Sequence, residues 1–138
     1  MTPNEITGQI VDAAVQLHAR LGPGLLETVY EAALAHDLRK RGLSVRRQVP
    51  IPIEYDGIKF DEGFRADLLV NNLVLVELKS TEQNHPVYAK QLRTHLVLMN
   101  LQVGLVLNFG LSRMKDGIVR IVNGLPETSP ARKEPFTL

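Results

Sequence analysis

Three charged residues lie in a part of the chain that should otherwise form buried β-structure. Asp67 precedes one apolar run, and Glu77 and Lys79 end the next. Burying such charges costs several kcal/mol unless they are paired or bound to a metal. Two carboxylates can hold a divalent cation, and an ammonium on the same strand face can stabilise a phosphate. The pattern is therefore one that a phosphodiesterase can use.

A simpler interpretation is a surface hairpin in which Lys79 forms a salt bridge with Asp67 or Glu77. The strand that ends at Lys79 has apolar residues on both faces. This favours a phosphodiesterase-like site over a surface hairpin, because ligand sites lie at the carboxyl ends of covered strands. A plain two-residue turn at 71–72 would place Asp67 opposite Val76, so that Asp67 and Glu77 would point to opposite faces. A shared metal site therefore requires an odd-residue loop or a β-bulge.

Other polar residues could complete such a site. Glu27 lies in the first turn of the second predicted helix, where a carboxylate suits the helix dipole, and as a third acidic group it would join Asp67 and Glu77 around one cation. Gln91 and His95 are one helical turn apart and share a face. Gln91 could orient a water or contact a phosphate. His95 could act as a base or could simply be a packed side chain.

The overall composition limits the classes of function. The chain has 138 residues, a net charge of +1, 5% aromatic residues, no Trp and no Cys. Disulfides and zinc-thiolate sites are therefore impossible, and extended base stacking on aromatic side chains is disfavoured. Five cations lie close together and form either a solvated helix end or a phosphate-binding track: Arg39, Lys40, Arg41, Arg46 and Arg47.

The N-terminal residues lack the features of a signal peptide, and no apolar run reaches the roughly 18 residues of a membrane span. We therefore expect a cytoplasmic protein without a membrane segment.

Hydrophobic periodicity predicts an alternation of helices and strands in one domain, 1–138, with a core at about 5–123 and a flexible tail at 124–138. Asn4 should cap the first helix and Gly22 should end it. Because Pro50 and Pro52 cannot donate to a β-ladder, their strand should be an edge strand or bulged. The predicted helices are 4–21, about 25–41 and 86–100, and the predicted strands are 45–55, 58–60 continuing into 64–70, 73–79, 103–109 and 117–122. This order indicates an α/β or α+β domain in which helices flank a central mixed sheet.

Several of these residues match the motifs of a known family. Gly24, Glu27 and Tyr30 have the spacing Gly-x-x-Glu-x-x-Tyr, and both the pairing of Asp67 with Glu77-Leu78-Lys79 and the later Gln91-Leu92 fit the same pattern. Over about residues 5–123 the chain resembles the GxxExxY proteins, which look like a branch of the PD-(D/E)xK nuclease superfamily.

The resemblance implies a restriction-endonuclease-like αβββαβ core with an extra N-terminal helix. It also implies that Asp67 and Glu77 bind Mg²⁺ (or Mn²⁺), with Glu27 at the same metal site. Lys79 would position or activate the attacking water, and Gln91 would be auxiliary. The chain departs from many relatives at His95, where they carry Tyr.

The expected function is that of a Mg-dependent nuclease-like domain that hydrolyses phosphodiester bonds in DNA or RNA. Two alternatives remain: a catalytically silent module of the same fold that binds a protein or nucleic-acid partner, and an enzyme acting on another phosphate substrate. A nuclease that cuts both strands needs two active sites, so a homodimer is also compatible with the sequence.

Overall fold

The computed structural model describes residues 1–124, apart from the side chain of Glu62. The tail predicted for 124–138 lies, beyond Gly124, outside these residues. The elements are α1 (Pro3–Leu21), α2 (Glu27–Lys40), β1 (Val45–Tyr55), β2 (Ile58–Val70), β3 (Val74–Lys79), α3 (Pro86–Met99), β4 (Val103–Asn108), a 3₁₀ turn (Met114–Gly117) and β5 (Ile118–Val122). The run from α2 to β4 is the expected αβββαβ order, with α1 as the extra helix.

The N-cap of the first helix lies two residues before the predicted one. Thr2, not Asn4, is the N-cap, because its hydroxyl accepts the Glu5 N–H while the Glu5 carboxylate accepts the Thr2 N–H. Together these bonds form a capping box. Gly22 ends α1 at φ 76°, as expected.

The described strands form one five-stranded mixed sheet in the order β1-β2-β3-β4-β5. Only the β3–β4 pair is parallel. β1 is an edge strand, and its pairing with β2 shifts register between Ile51 and Ile53. The proline-based prediction of an edge or bulged strand is therefore confirmed on both counts. β4 is buried along its whole length, as its apolar sequence predicts.

The sheet has helices on both faces. Leu34 and Leu38 of α2 and Ile6 and Ile10 of α1 pack on one face, where Val76 of β3 also lies. On the opposite face, α3 contributes the buried residues Leu92 and Leu96 to a second cluster with Leu75. β3 is therefore covered on both sides, and polar groups at its end lie between two apolar layers.

A three-residue loop sets the register between β2 and β3. Asn71 and Asn72 have φ values of 52° and 55°, and the Leu73 N–H donates to the Val70 carbonyl at 3.0 Å. The ladder nevertheless pairs Val70 with Val74, so residues 71–73 form an odd-numbered loop. The observed pairs end at Leu68 and Val76, and the same register continued by one residue would place position 67 opposite position 77.

Candidate active site

Tyr30 and two glycines fix the point at which α2 begins. The Tyr30 side chain is fully buried, and its hydroxyl donates to the Gly22 carbonyl at 2.5 Å and accepts the Leu25 N–H at 3.1 Å. Gly24 has φ 91°, a conformation that favours glycine. The Ser80 hydroxyl donates to the Leu25 carbonyl at 2.5 Å. This hydrogen bond links the start of α2 to the residue that follows β3.

Asp67 lies where β2 leaves β3. The ladder between these strands ends at Leu68 and Val76. Beyond it, the Asp67 Oδ2 accepts the Leu78 N–H at 2.8 Å, and the Oδ1 accepts the Gln48 side-chain amide at 3.2 Å. Gln48 itself has φ 53°, which is rare for a non-glycine residue and recurs at functional sites.

Glu31 is a second carboxylate beside Asp67, and our sequence reasoning did not identify it. Its side chain is 4% exposed; Oε1 accepts the Gln48 amide at 2.7 Å, and Oε2 pairs with the Arg47 Nε at 2.9 Å. The amide of Gln48 therefore bridges Glu31 and Asp67. The available signal was spacing, since Glu31 is four residues after Glu27 and shares its helix face.

The surroundings of Asp67 favour its neutral form. Burial, the largest cause, raises the pKa of Asp67 together with the negative charges of Glu31 and Glu77, whereas the hydrogen bonds from Leu78 and Gln48 lower it; the net result is a rise from 3.8 to about 6. A cation bound beside Asp67 would favour its ionised form instead.

Glu77 is almost completely buried on the α3 side of the sheet. It is 1% exposed, and its Oε2 lies 2.5 Å from the Nδ1 of His95. The ring of Phe64 stacks on His95 with 4.1 Å between centroids. The other carboxylate oxygen, Oε1, is buried and has no hydrogen-bond partner among residues 1–124. His95 is thus both a packed residue and a direct contact of the site.

Lys79 does not pair with either acidic residue. None of the ion pairs among residues 1–124 includes it, so the interpretation of these residues as a surface salt bridge is wrong. Instead, the Nζ of Lys79 lies over the ring of Tyr88, 4.9 Å from its centroid.

The expected convergence of Glu27, Asp67 and Glu77 needs correction. In the part of the chain that the structure describes, no three His, Asp or Glu side chains form a group that could hold a metal ion. The side chain of Glu27 is exposed at the first residue of α2, whereas Glu31, one turn further along the same helix face, is buried. Gln91 is also exposed, on the first half of α3.

Most of the five cations between Arg39 and Arg47 form contacts within the protein. Arg39 donates to the Val45 carbonyl at 2.8 Å, and Arg41 pairs with Asp12 at 2.8 Å. Arg47 is the partner of Glu31 described above. These contacts join α2 and the residue that follows it to β1 and to α1, which reduces the charge available for a phosphate track.

The donors at the site fit a hard divalent cation. Carboxylate oxygens are the ligands that Mg²⁺ prefers, and it usually takes only one or two of them and keeps several waters. Glu77 offers a buried oxygen without a partner among residues 1–124, and Asp67 is a carboxylate close to other negative charge. Two protein carboxylates are enough for such an ion, and residues 1–124 contain no group of three possible ligands.

Comparison with known proteins identifies one relationship. A family model described as the PD-(D/E)XK nuclease superfamily matches residues 4–121, which is most of the chain. No curated protein and no solved structure matched the sequence. Among the described residues, none of the helices is both long and apolar enough to cross a bilayer.

Proposed function

This chain belongs to the PD-(D/E)XK nuclease superfamily, and we propose that it is a nuclease domain that uses Mg²⁺ or Mn²⁺ to hydrolyse phosphodiester bonds in nucleic acids. The observation that carries the proposal is the buried Oε1 of Glu77, which lacks a partner among residues 1–124. A buried carboxylate oxygen without a partner costs stability, and a bound cation would supply the missing contact.

In this proposal Asp67 and Glu77 hold the cation. When bound, the cation would polarise the scissile phosphate and lower the pKa of a water molecule. The contact between His95 and the Oε2 of Glu77 orients that carboxylate, so that Oε1 is the oxygen left for the metal. The Leu78 N–H holds the Oδ2 of Asp67, and its Oδ1 lies 3.2 Å from the side-chain amide of Gln48.

The remaining predicted residues act on substrate and water. Lys79 donates to a phosphate oxygen and stabilises the negative charge that develops there. Glu27 and Gln91 are exposed, and the proposal assigns them contacts with water or substrate rather than with the cation itself.

The decisive experiment is a cleavage assay on single- and double-stranded DNA and RNA with Mg²⁺, Mn²⁺ or EDTA. We expect cleavage with either metal, none in EDTA, and its loss in Glu77→Gln. Glu54→Gln is the matched control, because Glu54 is exposed on β1. Equal cleavage by wild type and Glu77→Gln would contradict the proposal.

Removal of Lys79 should separate chemistry from metal binding. Loss of an electrostatic stabiliser typically costs about 2.7–4 kcal/mol, or on the order of a hundred- to a thousand-fold in rate. We expect Lys79→Ala to lose this much activity while its melting temperature still rises with Mg²⁺. Lys59→Ala, which removes the same charge from an exposed position on β2, should stay active. Undiminished cleavage by Lys79→Ala would indicate a contaminant or another site.

A silent binding module is the second candidate. Two observations favour it: residues 1–124 supply no third acidic ligand, and one oxygen of Glu77 is already in contact with His95. Such a module would bind nucleic acid without cleaving it. Its affinity would fall steeply with salt and would depend on the basic residues between Arg39 and Arg47. A gel-shift titration at several salt concentrations distinguishes it from the nuclease.

Three finer assignments remain predictions. Membership of the GxxExxY group rests on Gly24, Glu27 and Tyr30, of which Gly24 and Tyr30 have the structural roles described above. A cytoplasmic location and a homodimer can be tested by cell fractionation and by sedimentation.

A further inference from the structure

The ammonium group of Lys79 rests on an aromatic ring beside the acidic site. Its Nζ lies 4.9 Å from the centroid of the Tyr88 ring, within the range of a cation–π contact. It forms no ion pair with a carboxylate in residues 1–124, even though Glu77 is on the same strand face two residues away. The position of the Tyr88 ring therefore helps to determine the position of the Lys79 ammonium group.

The Tyr88 ring is held in place by a chain of contacts that begins on β4. The Tyr88 hydroxyl lies 3.1 Å from the Thr81 hydroxyl. Asn108, which is fully buried, donates to the Thr81 hydroxyl and accepts the Thr81 N–H, both at 3.1 Å. The ring of His85 packs edge-on against Tyr88 with 5.3 Å between centroids. The ring is thus fixed by residues outside the acidic cluster.

We propose that Tyr88 is a positioning residue for Lys79, a role that rests on the proposed nuclease function. A carboxylate partner would accept hydrogen bonds from the ammonium and hold it away from substrate. An aromatic face attracts the same charge through its quadrupole and leaves the N–H donors of Lys79 free to contact a phosphate. Tyr88 therefore keeps the charge of Lys79 at the site without neutralising it.

The proposal concerns the ring and not the hydroxyl, which allows a matched set of variants. Tyr88→Phe keeps the ring and removes the hydroxyl, whereas Tyr88→Leu removes the ring and keeps apolar volume. Cation–π contacts correspond to on the order of 2- to 30-fold in rate, so we expect kcat to fall by that factor in Tyr88→Leu and to change little in Tyr88→Phe. KM should change less than kcat, because the contribution of Lys79 is made in the transition state.

A graded series tests the electrostatic origin of the effect. Fluorinated phenylalanines at position 88 weaken the negative face of the ring stepwise while nearly preserving its shape. We expect log kcat to fall with each added fluorine, which a purely structural role would not produce. A flat series, or full activity in Tyr88→Leu, would overturn the proposal.

An NMR measurement tests the contact without using activity. The ring should shift the Lys79 ε-methylene protons upfield in wild type and Tyr88→Phe, and Tyr88→Leu should lose this shift. An unshifted Lys79 signal in wild type would overturn the contact. If wild type cleaves no substrate, the nuclease function is refuted, and with it the catalytic role of the contact between Lys79 and Tyr88. The NMR signal would still report whether that contact exists.

Discussion

The carboxyl group of Asp67 illustrates at the residue scale how the site costs stability before any ligand binds. Burial and the nearby charges of Glu31 and Glu77 raise its pKa to about 6. Between pH 3.8 and about pH 6, Asp67 is protonated to a greater extent in the folded state than in the unfolded chain. The stability that Asp67 contributes is therefore present at low pH and is lost as the pH rises through about 6.

Replacing Asp67 by Asn should stabilise the metal-free protein at neutral pH. The full change in pKa corresponds to about 3 kcal/mol, and partial exposure reduces our expectation to about 1–2 kcal/mol. Urea unfolding in EDTA between pH 4 and 7.5 measures this gain, which should disappear toward pH 4.

The control for this prediction is Asp61→Asn, which removes a carboxylate from an exposed position on β2. It should change stability little at any of these pH values. With Mg²⁺ added, wild type should gain more stability than Asp67→Asn, because ligand binding favours the state that holds the ligand. An Asp67→Asn protein that is less stable than wild type at pH 7.5 in EDTA would contradict the prediction.

At the scale of secondary structure, the beginning of α2 depends on the backbone conformation of Gly24. Its φ of 91° is one that other residues adopt only with strain, whereas a Cβ added at this position would meet no atom within 4 Å. The loop that contains Gly24 is fastened by Tyr30 and Ser80, so its shape determines where Glu27 and Glu31 lie relative to β3.

Two glycine-to-alanine changes separate backbone strain from steric clash. Gly24→Ala should destabilise the protein by about 1–2 kcal/mol, because only its positive φ opposes the side chain. Gly8→Ala is the matched control, since Gly8 also has open space but lies inside α1 without a positive φ. It should stabilise the protein by about 0.5–1 kcal/mol. Urea unfolding of both variants tests this pair, and equal effects would refute the role of φ.

On the scale of the whole molecule, β3 lies between two apolar clusters on opposite faces of the sheet. One cluster contains residues of α1 and α2, and the other contains residues of α3. Among residues 1–124, the buried members of these clusters run from Ile6 to Met114, and the partly buried residues packed against them extend to Ile121. The site forms where this clamped sheet opens, at the point where β2 diverges from β3. Residues 1–124 therefore contain both clusters and the strands that carry the site.

A fragment comprising residues 1–124 should consequently fold by itself. We expect cooperative urea unfolding of this fragment, because it retains the buried residues of both clusters. A fragment that ends at residue 116 is the control, because it lacks β5 and uncovers the buried strand β4. Loss of cooperative unfolding in the 1–124 fragment would refute the domain boundary.

Local patterns in the sequence were sufficient to predict the type and order of the elements. Apolar periodicity located the three helices, and the apolar run at 103–109 identified a strand buried on both faces. Pro50 and Pro52 predicted the irregular edge strand. The motif residues Asp67, Glu77 and Lys79 were found because charges are rare in buried strands. All of these signals depend on residues close together in the chain, where backbone geometry and burial constrain residue type directly.

Tertiary structure alone decided which side chains meet. The pairing of Glu77 with His95, the bridge of Gln48 between Asp67 and Glu31, and the stacking of Lys79 on Tyr88 join different elements. Spacing along the chain does not reveal such contacts, because they depend on register and on helix placement over the sheet. Glu27 and Glu31 share one face of α2, and only the packing of that helix shows that Glu31 reaches the Gln48 bridge to Asp67 while Glu27 stays in solvent.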